Sequence, residues 1–154
     1  MSNENQPTQF CFTSKGLDDT QLIGEQISEK LVFPSCVYLK GAMGAGKTTL
    51  AKSIIAGFGY KGDVTSPTYN LVQEYSVELG TIYHMDLFRL ADSHELEYLA
   101  IEDLWSDSSL FLIEWPERGA GYLQAANALL SISNTFKNKR NARDITLKLV
   151  GSPE

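Results

Sequence analysis

The spacing of apolar residues predicts alternating helices and strands in the first half of the chain. After Asp18, apolar residues follow one another at intervals of four: Ile23, Ile27 and Leu31. This interval predicts a helix, and Gln21, three residues after Asp18, forms a loose capping box at its start. Positions 36–39 are continuously apolar, which is typical of a strand buried on both faces, and helical spacing returns over positions 50–58.

The second half of the chain predicts further strands and one helical segment. Apolar or partly alternating stretches predict strands over 69–75, 81–85, 110–113, 128–132 and 145–150. Glu95–Leu104 predicts either one helix or two short helices, and the polar, basic stretch Lys137–Arg143 connects the last two strands. Strands alternate with helices early on, and each half contains a hairpin. The pattern therefore predicts an α/β fold with a mixed sheet.

The composition is that of one globular domain. The chain has 154 residues, of which 43% are apolar and 21% charged. We expect a single domain over residues 10–150, with flexible tails at 1–9 and 151–154. The net charge of −6 disfavours binding of nucleic acid by overall electrostatics, so any such role requires a partner or a local patch. The basic residues of 137–143 form one such patch, although a solvated hairpin loop would have the same composition.

The cysteines and the N-terminal residues bear on the cellular compartment. Cys11 and Cys36 are the two cysteines and form no C-x-x-C motif, which argues against a disulfide framework and a zinc site. Residues 1–9 are polar and have neither the basic start nor the apolar stretch of a secretion signal. No apolar run approaches the roughly 20 residues that span a bilayer. We expect a cytoplasmic protein that does not associate with membranes.

A phosphate-binding motif lies between the predicted strand at 36–39 and the helix that follows it. The segment fits G-x-x-x-x-G-K-[ST] at every fixed position: Gly41-Ala42-Met43-Gly44-Ala45-Gly46-Lys47-Thr48. Its glycines let successive backbone N–H groups point at phosphate oxygens, and the following helix start favours anions. Lys47 can reach the β- and γ-phosphates, and the hydroxyl of Thr48 can bind Mg²⁺. We include Thr49 in this predicted nucleotide-binding segment.

Two predicted strands end in a carboxylate. Asp86 follows the strand at 81–85, and Glu114 follows the strand at 110–113. Ligands of open α/β sheets bind outside the carboxyl ends of the strands, so both groups are candidates for holding Mg²⁺. Glu114 could instead orient or deprotonate an attacking water. His84 shares a strand face with Asp86 and is either a site partner or a structural histidine, and Trp115 either stacks on a ligand or packs in the core.

A hydroxyl-rich loop connects the predicted P-loop helix to the next strand. Its residues are Thr65-Ser66-Pro67-Thr68. Such a loop could sense the γ-phosphate and Mg²⁺, as switch segments do, but a Ser-Pro turn before a strand is also common. Both interpretations stay open on the residues alone.

An ordered series of motifs resembles the TsaE (YjeE) family of small bacterial P-loop proteins. The resemblance extends from the helix at Asp18 to Leu147. Beyond the P-loop, the matching segments are Thr65-Ser66-Pro67-Thr68-Tyr69, Leu71-Val72, Glu74-Tyr75, His84-Met85-Asp86-Leu87-Phe88-Arg89-Leu90, Glu95-Leu96-Glu97 and Ile113-Glu114-Trp115-Pro116-Glu117.

The resemblance implies a P-loop NTPase-like three-layer sandwich, whose mixed sheet has a parallel core and antiparallel edges. It implies a Mg²⁺-dependent ATPase needed to form threonylcarbamoyladenosine beside the anticodon of tRNA. The implied partners are the TsaD and TsaB subunits, which perform the transfer, so that contact with tRNA is indirect. Carried over by position, Lys47 and Thr48 hold phosphate and Mg²⁺, and Asp86 is the metal carboxylate.

Further roles and two departures follow from the same resemblance. Glu114 is the acidic residue needed for hydrolysis, Trp115 lies beside it, and Thr68 belongs to the switch-like loop. The family usually has Tyr where this chain has Phe88, and Gly where it has Ala142. Neither departure falls on the predicted phosphate site.

Other classes of function remain open at this stage. A small-molecule P-loop kinase would use the same phosphate grip, but such kinases usually close an Arg-bearing lid, and this chain has four arginines and no Arg-rich segment of that length. A nucleotide-gated binding module would turn over ATP only negligibly by itself. A GTPase is disfavoured because the segment Asn138-Lys139-Arg140-Asn141 ends in Asn rather than completing Asn-Lys-x-Asp.

Overall fold

The computed structural model describes residues 8–65, 71–98 and 100–150. The elements are β1 (Thr8–Ser14), α1 (Leu17–Lys30), β2 (Ser35–Lys40), α2 (Lys47–Gly57), β3 (Val72–Val77), β4 (Gly80–Asp86), α3 (Glu95–Tyr98), α4 (Ile101–Leu104), β5 (Ser109–Glu114), a 3₁₀ turn (Pro116–Gly119), β6 (Ala128–Lys137) and β7 (Arg140–Leu149).

The seven strands form one mixed sheet. Their order is β1-β7-β6-β2-β5-β4-β3. The central strands β6, β2, β5 and β4 are mutually parallel, whereas β3 pairs antiparallel with β4 at one edge and the β7–β1 pair is antiparallel at the other. The predicted α/β class and the mixed sheet with a parallel core and antiparallel edges are confirmed.

Helices cover both faces of this sheet, which completes three layers. One buried cluster joins α1 and α2 to the sheet, and a second joins the opposite face to α3, α4 and the region of the 3₁₀ turn. Every residue of β5 is buried, as the continuous apolar run in its sequence requires. The helices α1 and α2 approach closely at Gly24, where a Cβ atom would lie 2.3 Å from Cβ of Ser53.

The first strand and the first helix differ from the sequence prediction. The polar and apolar residues of β1 alternate incompletely, and the sequence therefore does not predict this strand. Thr8 and Gln9, expected in the N-terminal tail, are its first residues. The helix α1 begins at Leu17, which places Asp18 inside its first turn. The N-cap residue is Gly16, which makes no side-chain cap, and the Asp19 carboxylate accepts a hydrogen bond of 2.8 Å from the Lys15 amide before it.

The last hairpin is longer than the sequence predicts. β6 and β7 stay paired to Lys137 and Arg140, and the connection is the two-residue turn Asn138-Lys139 rather than a polar loop over 137–143. Both turn residues have positive φ, 51° and 63°, as tight hairpin turns require. The prediction failed because backbone pairing continues past the apolar core, where the side chains need not alternate.

The remaining predicted elements are present with small shifts. Glu95–Leu104 forms two short helices, one of the two predicted alternatives. The strand expected over 69–75 begins at Val72, and residues 69 and 70 lie outside the described residues, as does the candidate switch residue Thr68. The predicted tails at 1–7 and 151–154 also lie outside them. Among the helices that the structure describes, none has the length and apolar character needed to cross a membrane.

Candidate functional site

The glycine-rich segment forms the turn between the central strand β2 and the start of α2. Residues 41–46 form this loop, and α2 begins at Lys47. Gly44 and Gly46 have φ values of +80° and +103°, which favour glycine. Ala45 is buried and its amide binds the Ala42 carbonyl at 3.1 Å, while Ala42, Met43 and Gly44 are exposed. The predicted strand–loop–helix context of the motif is therefore present.

The register of the parallel strands brings the two predicted carboxylates to the same edge. Asp86 ends β4 and Glu114 ends β5, and the two residues are register partners. Glu114 is also the partner of Leu39 in β2, the strand that enters the loop. The expectation that two acidic residues share one edge of the sheet is confirmed, and the P-loop begins at that same edge.

Glu114 is the centre of a buried hydrogen-bond network. The Thr48 hydroxyl donates to Oε1 at 2.9 Å and lies 3.1 Å from Oε2. Nε2 of His84 lies 2.7 Å from Oε2. Glu114 is 2% exposed and His84 is fully buried. The network therefore joins the P-loop helix to two neighbouring strands, and it shows that His84, left open on the sequence, is a partner of the site.

Asp86 is half-buried beside this network. Its Oδ1 accepts a hydrogen bond of 3.1 Å from the Phe88 amide. Burial raises the pKa of Asp86, and the charge of Glu114 adds to this rise, while the Phe88 amide, His84 and Lys47 oppose it. Desolvation thus outweighs the groups that favour the ionised carboxylate. A cation bound beside Asp86 would stabilise the ionised form.

The donor set at this edge fits Mg²⁺. The Thr48 hydroxyl and the carboxylates of Asp86 and Glu114 are hard oxygen ligands of the kind that Mg²⁺ prefers. The Thr48 hydroxyl donates to Glu114, and Asp86 and Glu114 are register partners on the neighbouring strands β4 and β5. Few protein ligands are needed, because Mg²⁺ at phosphate sites usually keeps several waters and binds the phosphates themselves.

The Lys47 ammonium lies between the loop and an aromatic ring. Its Nζ donates to the Gly41 carbonyl and stands 3.7 Å from the centroid of the Trp115 ring. Only 6% of the residue is exposed. Burial lowers the pKa of Lys47, against the opposing effect of Glu114 and Asp86.

Trp115 closes the site on the side of the 3₁₀ turn. It is half-buried and has φ 57°, a left-handed conformation that is uncommon for a bulky residue. Its ring lies 5.1 Å from the ring of Phe88, which in turn lies 5.5 Å from the Arg118 guanidinium. Core packing, one of the two alternatives, is present in part, because Trp115 packs against the buried cluster on this face of the sheet while its ring also contacts Lys47; stacking on a ligand stays a prediction.

Two cavities meet at the P-loop. The smaller, of about 360 Å³, is lined by Met43, Gly44, Gly46, Lys47, Thr48, Thr49, Asp86, Phe88, Glu114, Trp115 and Arg143. The larger, of about 670 Å³, lies between the β1–α1 junction and the β6–β7 hairpin. Gly44, Thr49 and Arg143 line both. The two spaces are therefore neighbours across the P-loop.

Arg143 is a site residue that sequence reasoning missed. The sequence placed it in the basic cluster of the hairpin, but its guanidinium lies against the loop, where Nη1 would be 2.1 Å from a Cβ atom on Gly46. Ile145 and Leu147, at two-residue intervals after it, belong to the core on the face of α1 and α2. Alternation along β7 would thus have indicated that Arg143 faces the P-loop side of the sheet.

A model of a known protein family matches most of this chain. The family model described as "Threonylcarbamoyl adenosine biosynthesis protein TsaE" matches residues 14–145. The chain belongs to the TsaE family. The match covers the P-loop, both carboxylates, His84 and Trp115, so every element of the site lies within the family's shared region.

Individual TsaE relatives agree with this assignment, and one solved structure shares the fold. The "tRNA threonylcarbamoyladenosine biosynthesis protein TsaE" of Haemophilus influenzae is 43% identical over 135 residues, covering 88% of this chain and 83% of that protein. The protein of the same name from Aquifex aeolicus is 31% identical over 128 residues, covering 82% and 88%. The crystal structure of Bacillus subtilis YdiB has a TM-score of 0.73 at 23% identity and covers 94% of this chain and 88% of that chain, which supports the fold.

Proposed function

We propose that this TsaE-family protein binds ATP with Mg²⁺ at the P-loop and hydrolyses it in the cytoplasm during formation of threonylcarbamoyladenosine in tRNA. In this proposal it acts with the TsaD–TsaB transferase pair and does not itself transfer the threonylcarbamoyl group. The proposal rests above all on the alignment of Asp86 with Glu114 beside the P-loop strand. Family membership supports the pathway.

In this proposal the P-loop and two basic side chains bind the phosphates, and the larger cavity takes the nucleoside. The backbone amides of 41–49 and the start of α2 face phosphate, and Lys47 leaves the Gly41 carbonyl and the Trp115 ring to pair with phosphate oxygens. Arg143 supplies a second cation at the loop. The larger cavity has room for the nucleoside, since it continues from the shared lining residues Gly44 and Thr49.

The chemical step is the attack of water on the γ-phosphorus. A bond forms between the water oxygen and phosphorus, the bond to the β-phosphate oxygen breaks, and ADP leaves. Thr48, Asp86 and Glu114 would hold Mg²⁺, which would neutralise charge on the phosphates. Glu114 orients the water or accepts its proton, because the two carboxylate oxygens can accept a further hydrogen bond beside those of Thr48 and His84.

The test is reconstitution of tRNA modification with purified subunits. Wild-type protein added to TsaD and TsaB should support repeated, ATP-dependent modification, with ADP and phosphate as products. Lys47→Met should abolish ATP turnover, because it removes the cation that contacts the phosphates, and Lys52→Met is the matched control on the same helix. A phosphorylated small acceptor in place of free phosphate would instead identify a kinase, and unimpaired modification with Lys47→Met would refute the proposal.

A further inference from the structure

His84 is the fully buried group that holds the proposed catalytic carboxylate from inside the sheet. It lies in β4, between Gln73 of β3 and Leu112 of β5 in the register. Its Nε2 lies 2.7 Å from Oε2 of Glu114. A carboxylate only accepts hydrogen bonds, so Nε2 of His84 is the donor in this contact.

The other imidazole nitrogen has no competing contact among the described residues. Within the part of the chain that the structure describes, Nδ1 of His84 is buried without a hydrogen-bond partner. Among these residues the histidine therefore has one polar contact, and that contact is Glu114. Because the side chain is fully buried, it cannot touch a nucleotide in the cavity directly.

The second partner of Glu114 lies on the P-loop helix. The Thr48 hydroxyl donates its hydrogen to Glu114, and its oxygen lone pairs remain available to the Mg²⁺ of the proposed function. Thr48 belongs to α2, whereas His84 and Glu114 belong to adjacent paired strands. The histidine contact therefore joins Glu114 to the neighbouring strand of the sheet, whereas the hydroxyl contact joins it to the P-loop helix.

We propose that His84 is a positioning residue, which acts through Glu114 by holding Oε2 so that Oε1 remains directed at the water or the metal. This inference rests on the proposed function, because it assigns a partner to the carboxylate of that reaction. A contact of this kind matters in catalysis, since the loss of a partner that orients a ligand typically lowers activity about 10- to 100-fold.

Kinetics of two His84 variants test the inference. His84→Leu removes the donor at similar volume, and His84→Gln restores an N–H at about the position of Nε2. We expect His84→Leu to lower kcat for ATP about 10- to 100-fold with KM changed less than about threefold, and His84→Gln to recover most of the loss. Ile82→Val is the matched control, because Ile82 is equally buried two residues earlier on the same strand face.

A double-mutant cycle separates positioning from general damage to the fold. In a Glu114→Gln background, His84→Leu should cause no further loss, because its effect passes through the carboxylate. Equal losses in both backgrounds, or wild-type turnover by His84→Leu, would overturn the inference. Both outcomes leave the proposed ATPase intact, since they require a wild-type protein that hydrolyses ATP.

Crystal structures of the two variants give a readout that does not need turnover. Glu114 should turn away from its present orientation in His84→Leu and keep it in His84→Gln. An unchanged Glu114 in His84→Leu would overturn the inference whatever the activity. If instead wild-type protein failed to hydrolyse ATP while Glu114 moved as expected, the proposed function would fail and the positioning of the carboxylate would stand.

Discussion

Replacing Gly46 by alanine tests whether Arg143 belongs to the nucleotide site. Gly46 has φ +103°, and a Cβ atom there would lie 2.1 Å from Nη1 of Arg143 and 3.0 Å from its Cζ. Gly44 is the matched position in the same loop, because its φ is +80° and a Cβ atom there would meet none of the described residues within 4 Å. Both alanines carry the conformational penalty, but only one displaces the guanidinium.

The expected stability losses are similar for the two variants. A left-handed conformation costs an alanine roughly 1–2 kcal/mol, and the loss of glycine entropy in the unfolded chain returns about 0.4–1 kcal/mol. The net cost of about 1 kcal/mol should lower Tm by about 2–4 °C in a domain of this size. The guanidinium adds little to this cost, since it is the free end of a flexible side chain.

The expected nucleotide affinities differ. A hydrogen bond to a charged group is worth about 1.5–3 kcal/mol, so displacing Arg143 from the phosphates should weaken ATP binding about 10- to 100-fold beyond the effect of Gly44→Ala. Titration calorimetry with Mg²⁺ and a non-hydrolysable ATP analogue measures the difference. If Gly46→Ala weakens binding just as much in an Arg143→Ala background, the alanine acts on the phosphates directly and the reasoning about the guanidinium is refuted.

Two further predictions concern packing and the thiols. Gly24→Ala should lower the free energy of unfolding by about 1–3 kcal/mol in denaturant titration, because its Cβ would lie 2.3 Å from Cβ of Ser53 and force α1 away from α2. Gly16→Ala, whose Cβ would meet none of the described residues within 4 Å, should change it far less, and equal losses would contradict the packing described. Burial raises the pKa of Cys36 to about 12, so at pH 8 its thiolate fraction is about 10⁻⁴. Iodoacetamide should therefore modify the exposed Cys11 first, with Cys36 reacting only as the protein unfolds. Mass spectrometry that found Cys36 modified at the same rate as Cys11 in the folded protein would contradict its burial.

The fold class and the placement of the P-loop and the two carboxylates could be predicted from the sequence, because they depend on local patterns. The P-loop is a contiguous motif, and strands that are buried on both faces are visible as apolar runs, as in β5. The prediction that Asp86 and Glu114 share an edge needed only that both strands be parallel and end in the acid, which the register confirms.

The parts that failed depend on pairing and side-chain direction. β1 lies at a sheet edge, where exposed residues weaken the alternation of polar and apolar positions. The ends of β6 and β7 are held by backbone pairing, which does not depend on the type of side chain and so cannot be seen in the composition. Arg143 looked like one of several basic residues in a loop, because its place beside Gly46 depends on the extended hairpin. His84 could be placed on the correct strand face, but its contact with Glu114 is a distance between two strands.

A crystal structure of the protein with Mg²⁺ and a non-hydrolysable ATP analogue tests the central claim most directly. The account predicts the triphosphate enclosed by the backbone amides of Gly41–Thr48, with Mg²⁺ bound by Thr48 and by at least one of Asp86 and Glu114. A nucleotide bound elsewhere, or a metal that contacts neither carboxylate, would contradict it.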